Sequence, residues 1–167
     1  MTGDFTTMTY TQQWLCQQIV EHTSIAIIFA DREGKIRLWN AGAEAMFGFT
    51  AAETLGQSMD IIVPEKHRPR HWEGYYRVME TGVTKYGSDV LAVPALTKDG
   101  RRISIEFNVV LLRGDDGHVI GVAAMIQEVT ARWERERATK ARIAELEARL
   151  KQAGVSVEPT KVAAGKE

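Results

Sequence analysis

An α+β domain is the fold class this sequence predicts, and three observations predict it. Two short apolar runs joined by a tight turn come first, a chain of short helices follows, and three longer alternating stretches joined by glycine turns close the core. Together they describe a sheet of five antiparallel strands with a helical bracket on one side. A helix flanks this core at each end.

Composition narrows the function classes. The chain has 167 residues, 44% hydrophobic and 26% charged, enough for one well-buried core plus an appendage. Twenty-one basic residues stand against 22 acidic ones, a net charge of −1, so neither nucleic acid nor an anionic membrane is expected as an electrostatic partner. No apolar run has membrane-spanning length, and Met1 to Gln13 lack the basic-then-apolar plan of a signal peptide. Cys16 is the single cysteine, which rules out an internal disulfide and a cysteine-built metal cluster. A cytoplasmic protein is the expectation.

The elements follow in order. Trp14, Leu15, Ile19 and Val20 fall at helical spacing, giving a short amphipathic helix within a flanking segment, residues 1–23. The core then spans residues 24–129. Ile25 to Ala30 and Ile36 to Trp39 are its first two strands, joined by Asp31-Arg32-Glu33-Gly34, where glycine accepts a positive φ. Asn40 is placed to cap a helix over Ala41–Phe47 that Gly48 closes. Thr50-Ala51-Ala52-Glu53 has the form of a capping box. Pro64 permits a fresh start for a helix running from about Glu65 to Glu80, stopped by Gly82.

Three strand-like stretches come next: Lys85 to Ala95, Arg101 to Leu112 and His118 to Glu128. In the middle one Ile103, Ile105, Phe107, Val109 and Leu111 share one face, while Arg102, Ser104, Glu106 and Asn108 share the other. Thr130 is suited to cap a long polar helix over residues 130–153, and residues 154–167 read as a frayed tail. Within the helix Ile143, Leu146 and Leu150 keep three-then-four spacing, which suits a short seam between paired helices. This seam and the first helix predict a homodimer with a helical interface.

The joints of this plan resemble the PAS family. The matching residues are Asp31-Arg32-Glu33-Gly34-Lys35-Ile36, Trp39-Asn40, Phe47-Gly48-Phe49, Glu53, Gly56, Pro64 and Lys98-Asp99-Gly100-Arg101. Glu128-Val129-Thr130 stands where many members have Asp-x-Thr between core and output helix. The resemblance implies a ligand pocket between sheet and helices, which in this family holds haem, flavin, small metabolites or nothing. It implies a sensory domain rather than an enzyme, and no nucleophile–base pair or paired carboxylate stands at recognisable spacing.

The helix after Pro64 carries the ligand expectation. His71, Tyr75, Val78 and Met79 lie on one helical face, so the imidazole points with apolar residues. This stretch resembles the haem-binding PAS oxygen sensors of nitrogen-fixation histidine kinases. That resemblance places the iron ligand at His71 and a haem-propionate partner at Arg77, with Tyr75 beside them and Tyr86, Leu91, Phe107 and Val109 on the distal side. Leu91 stands where those sensors have an arginine that donates to bound oxygen. The implied cofactor is haem b and the implied signal a diatomic gas (oxygen, carbon monoxide or nitric oxide) or a redox state. A flavin or cofactor-free interaction module is the alternative. His67 is expected on the solvent side because Pro69 interrupts its turn.

Overall fold

The computed structural model describes residues 10–84 and 90–153. Helix α1 (Gln12–His22) is opened by Thr11, whose side chain accepts from the Trp14 N–H. Strands β1 (Ala26–Asp31) and β2 (Ile36–Trp39) form the first hairpin. Helices α2 (Ala41–Phe47) and α3 (Ala51–Thr54) follow, then 3₁₀ turns over Met59–Ile61 and Glu65–His67, then α4 (Arg68–Thr81). Strands β3 (Leu91–Leu96), β4 (Arg102–Arg113) and β5 (Val119–Glu128) complete the sheet, and α5 (Thr130–Gln152) ends the described chain. All strand pairs are antiparallel, in the spatial order β2-β1-β5-β4-β3. The α+β class with five strands and flanking helices is the observed architecture.

Local chemistry explains the joints. Asp31 organises the β1–β2 turn: its carboxylate accepts from the N–H groups of Glu33 (3.2 Å) and Lys35 (2.9 Å) and from Arg37 Nε (2.6 Å). In α3 the capping box is complete, with Thr50 and Glu53 each satisfying the other's backbone N–H. Glu53 also takes Lys98 Nζ at 2.5 Å, and this hydrogen bond together with those from Thr50 holds its carboxyl down at about 2.

Three expectations are corrected. The chain after Pro64 does not enter one continuous helix: it makes a 3₁₀ turn first, and the α-helix begins at Arg68, with Pro69 in its first turn where a missing N–H costs nothing. The third strand runs from Leu91 to Leu96, later than the sequence pattern suggested, while residues 85–89 lie outside the described residues. Thr130 is the first residue of α5 rather than a cap preceding it. Residues 1–9 and the tail from 154 onward also lie outside the described residues.

The core sits between the inner face of the sheet and α2, α3 and the 3₁₀ turns. Phe47, Ile28 and Ile36 are fully buried, and Ala26, Trp39, Ala43, Ile62, Ala95, Ile103, Ile105 and Ile126 join them. Burying each large side chain contributes roughly 1.5–3 kcal/mol. Trp39 keeps its indole N–H satisfied by donating to the Phe49 carbonyl at 3.0 Å. Two compact units result, one ending at Val129 and one starting at Thr130.

Asn40 ties the early elements together. Its Oδ1 accepts from the Ala43 N–H at 2.9 Å, the cap of α2, and from the Ile27 N–H at 2.8 Å in β1. Its Nδ2 donates to the carbonyls of Val20 at 2.8 Å and Ile25 at 2.9 Å. Replacing Asn40 with Ala removes the partner of these four partly buried backbone groups. The substitution is expected to lower stability by about 2–4 kcal/mol, measured as a shift in urea unfolding midpoint, whereas a simple exposed cap would cost about 1 kcal/mol.

Candidate functional site

The register of the sheet brings the distal residues together. Leu91 pairs with Phe107, Phe107 with Ile126, and Val109 with Ala124, which in turn pairs with Ile28. Opposed residues share a face, so Leu91, Phe107 and Val109 belong to the inner, apolar side with Ala124 and Ile126. Coverage is uneven along β4. Ile103 and Ile105 are buried, while Phe107, Val109 and Leu111 are only half-buried, as is Leu91. The inner face is therefore sealed at one end and partly covered at the other. Tyr86, the remaining distal residue, lies outside the described residues.

Helix α4 packs on β5 and on the first hairpin. Trp72 lies flat over the β1–β2 turn: a Cβ on Gly34 would come within 2.2 Å of its ring carbons. Gly34 also has φ 74°, so both its backbone and the ring above it demand glycine. The Trp72 indole N–H donates to Asp60 Oδ1 at 2.8 Å. Tyr75 reaches the end of β1, where its hydroxyl donates toward the carbonyls of Ala30 (3.1 Å) and Asp31 (2.5 Å). Burial, with the charges of Asp31 and Glu33 nearby, pushes the phenol far up, so it stays protonated.

His71 sits among these rings, 4.9 Å from Trp72 edge-on and 6.0 Å from Tyr75, centroid to centroid. Its Nδ1 is buried and has no hydrogen-bond partner, a situation that costs free energy. Burial drives the imidazole below its ordinary value, against the opposing pull of Asp60, so the ring is neutral at pH 7. His67 Nε2 is likewise buried and unpartnered. That corrects the solvent-side expectation for His67, which lies half-buried at the end of the 3₁₀ turn Glu65–His67.

Arg77 takes a different position. It is exposed and donates to Glu73 Oε1 at 2.6 Å, one helical turn back. Asp60, Arg68 and Trp72 are the contributors that sequence reasoning missed. Arg68 donates to the carbonyls of Val63 (3.2 Å) and Asp60 (3.1 Å), fixing the segment that presents Asp60 to Trp72. No pattern in the sequence announces a contact twelve residues apart that depends on a 3₁₀ turn. Among the described residues no cluster of three or more His, Cys, Asp or Glu could hold a metal ion.

A five-stranded antiparallel sheet in the order β2-β1-β5-β4-β3 with flanking helices is the architecture of a sensory domain. Residues 20–134 match the PAS fold family, and the chain belongs to it. It is similar to the sensor protein FixL of Bradyrhizobium diazoefficiens, 41% identical over 46 residues, covering 28% of this chain and 9% of that protein. It is also similar to the signal transduction histidine-protein kinase AtoS of Escherichia coli, 28% identical over 121 residues, covering 71% of this chain and 18% of that protein. The chain thus spans less than a fifth of either relative. Two solved structures share the fold. A PAS domain from Colwellia psychrerythraea has a TM-score of 0.64 at 20% identity, covering 72% of this chain and 99% of that one. An RNA-binding light-oxygen-voltage receptor has a TM-score of 0.65 at 19% identity, covering 86% of this chain and 40% of that one. No described helix is long and apolar enough to cross a membrane.

The depressed imidazole makes folding pH-dependent. Unfolded His71 titrates near 6.5, and the folded ring below that value. Between the two the unfolded chain binds more protons, so stability is full above about 6.5 and falls as pH drops through the window toward the folded value. Unfolding midpoints at about pH 7.5 and about pH 5.5 are expected to differ less in His71→Leu than in the parent chain. An equal difference in both would remove His71 as the cause.

Proposed function

We propose that this chain is a haem-binding PAS sensory module that reports a diatomic gas or a redox state, with His71 as the protein's ligand to iron. The observation that carries this reading is the half-buried, neutral imidazole of His71, whose Nδ1 is covered and has no hydrogen-bond partner. The similarity to the sensor protein FixL supports the sensory part of this reading.

The residues present fit the group. Leu91, Phe107 and Val109 offer an apolar, partly covered floor for a flat macrocycle. Arg77 supplies a cation for a propionate, since its surface pair with Glu73 is of the weak, exchangeable kind. Tyr75 acts by position: its hydroxyl is committed to β1, and its ring braces His71. Haem, when bound, supplies the gas- or redox-responsive centre. The chain's own residues hold the imidazole neutral, keep water from it through Trp72 and Tyr75, and join α4 through Trp72 to Asp60 of the first 3₁₀ turn and to Gly34 of the hairpin.

The light-oxygen-voltage relative makes flavin the competing ligand. Flavin–cysteinyl chemistry needs a thiol in the pocket, and the chain's single cysteine, Cys16, is an exposed residue of α1. By analogy with AtoS, the output is transfer of the signal through α5 to a partner or further domain of the signal-transduction kind, in the cytoplasm.

Haem-supplemented protein is expected to keep a Soret band through gel filtration, and His71→Ala to lose it while its far-ultraviolet circular dichroism is unchanged. A Soret band of the same intensity and position in His71→Ala would remove the assignment. The distal side yields a second expectation. Bound oxygen draws negative charge and is stabilised by a donor that carbon monoxide hardly needs. Leu91→Arg is therefore expected to slow oxygen dissociation by about tenfold or more while leaving carbon monoxide dissociation within about twofold. Equal effects on both gases would show that position 91 does not serve the bound ligand.

A further inference from the structure

Two side-chain atoms among the described residues are buried without a hydrogen-bond partner, Nε2 of His67 and Nδ1 of His71. Both are imidazole nitrogens, and the haem proposal uses only the second residue. His67 has a right-handed helical backbone (φ −99°, ψ −12°) and leads directly into α4. The two side chains therefore stand on one row of the helix, four residues apart.

Neighbouring contacts fix the direction in which that row faces. Tyr75 is its next member, and its hydroxyl ends on the carbonyls of Ala30 and Asp31. Arg68 and Trp72 each follow one of the histidines, and both reach Asp60, through its carbonyl at 3.1 Å and its Oδ1 at 2.8 Å respectively. His67, His71 and Tyr75 are accordingly half-buried, while Lys66, Arg70, Glu73 and Gly74 are exposed.

We propose that His67 and His71 together chelate one divalent transition ion of borderline softness, copper(II) or zinc(II), with water completing its coordination. Imidazole suits these ions, and neither histidine has an internal partner at the nitrogen concerned to compete with one. Cβ atoms four residues apart on a helix are about 5–6 Å apart. Two metal–nitrogen bonds of about 2 Å are within reach of imidazoles at that spacing. Asp60 adds a favourable field: its charge draws His71 toward the cationic form against burial, and the same charge favours a bound cation. Arg68 Nε, 3.7 Å from Asp60 Oδ1, offsets part of that field. Lys66 and Arg70 oppose it from exposed positions, where water and salt screen them. Magnesium, which takes oxygen ligands, is excluded by the donor set.

Two consequences follow from the position of the site. The ion ties the 3₁₀ turn of Glu65–His67 to the first turns of α4, so its binding stabilises the folded chain. It also occupies His71. A neutral imidazole has one ligating lone pair, so the ion and haem iron cannot share that ring. Binding of the bare ion does not depend on haem, and only the exclusion between the two rests on the haem proposal.

Isothermal titration of the chelator-treated, haem-free chain with copper(II) or zinc(II) chloride tests the site. One ion per chain is expected, copper at least about tenfold tighter than zinc, with no binding of magnesium. His67→Gln and His71→Gln are each expected to weaken binding by at least about tenfold through loss of one of two ligands. Glutamine keeps a hydrogen-bonding side chain but no imidazole lone pair, so a merely structural His67 would leave affinity unchanged. His22 and His118 are exposed, and replacing both with Ala is expected to leave affinity within about twofold. Electron paramagnetic resonance of the copper form is expected to show two imidazole nitrogens in the parent and one in His67→Gln. In haem-supplemented protein, saturating zinc is expected to diminish the Soret band of the parent and to leave that of His67→Gln unchanged. A parent without a Soret band that still binds copper through both histidines would uphold the ion site and remove the haem assignment. No binding of either ion, affinity indifferent to His67→Gln, or a single imidazole nitrogen in the parent's copper spectrum would overturn the ion site. A Soret band unaltered by saturating zinc would overturn the exclusion.

Discussion

Asn40 is buried where α1, β1 and α2 meet, and its amide engages backbone at both ends, two groups accepted by Oδ1 and two carbonyls reached by Nδ2. The Asn40 side chain supplies a partner to all four groups at a partly buried junction, where an unpaired backbone group is costly. Gly42 is part of the same constraint: a Cβ there would lie 2.4 Å from the Ile25 carbonyl oxygen, so α2 could not approach the chain that Asn40 holds. Placement of Ala43 and Phe47 in the core depends on that approach. The inner face of the sheet, and hence the floor under the candidate site, inherits its geometry from one amide side chain.

The site is built by a second, looser docking. Helix α4 is anchored at its start by Arg68, in its middle by Trp72 and Tyr75, and at its end by Arg113, which donates to the Gly82 carbonyl at 2.8 Å. Only Met79 of this helix is buried, so polar anchors rather than apolar area hold it. A helix retained in this way can shift against the sheet at lower cost than one sealed by a large apolar contact. This loosely held helix also carries His71, whose Nδ1 has no hydrogen-bond partner.

Helix α5 shows a different economy. Its surface is dense in charge, with ion pairs Arg132–Glu136, Arg142–Glu145 and Arg149–Glu145 along its own length. Such pairs support an isolated helix by a few tenths of a kcal/mol each, enough to keep it helical without a large buried face. Ile143, Leu146 and Leu150 are accordingly exposed on this helix rather than part of a core.

Much of the fold was legible in residue order because the deciding interactions are local. The cap at Asn40, the box at Thr50 and Glu53, the turn at Asp31–Gly34 and the alternation along Ile103–Leu111 each act over a few residues, where side-chain type and spacing determine backbone conformation. The helical face of His71 with Tyr75 and Met79 was legible for the same reason. Other features required the chain to be folded. That Asn40 also binds Val20 and Ile25, that Asp60 receives Trp72, that Tyr75 ends on β1 and that His67 turns inward all join residues brought together by strand register and a 3₁₀ turn. Nor does sequence reveal that β4 is buried at Ile103 and half-covered at Phe107, because burial depends on what packs opposite. The sequence by itself determined the elements, their caps and the face each presents. Only the tertiary structure decided which polar atoms found partners, because hydrogen bonding between distant residues follows from packing and not from spacing along the chain.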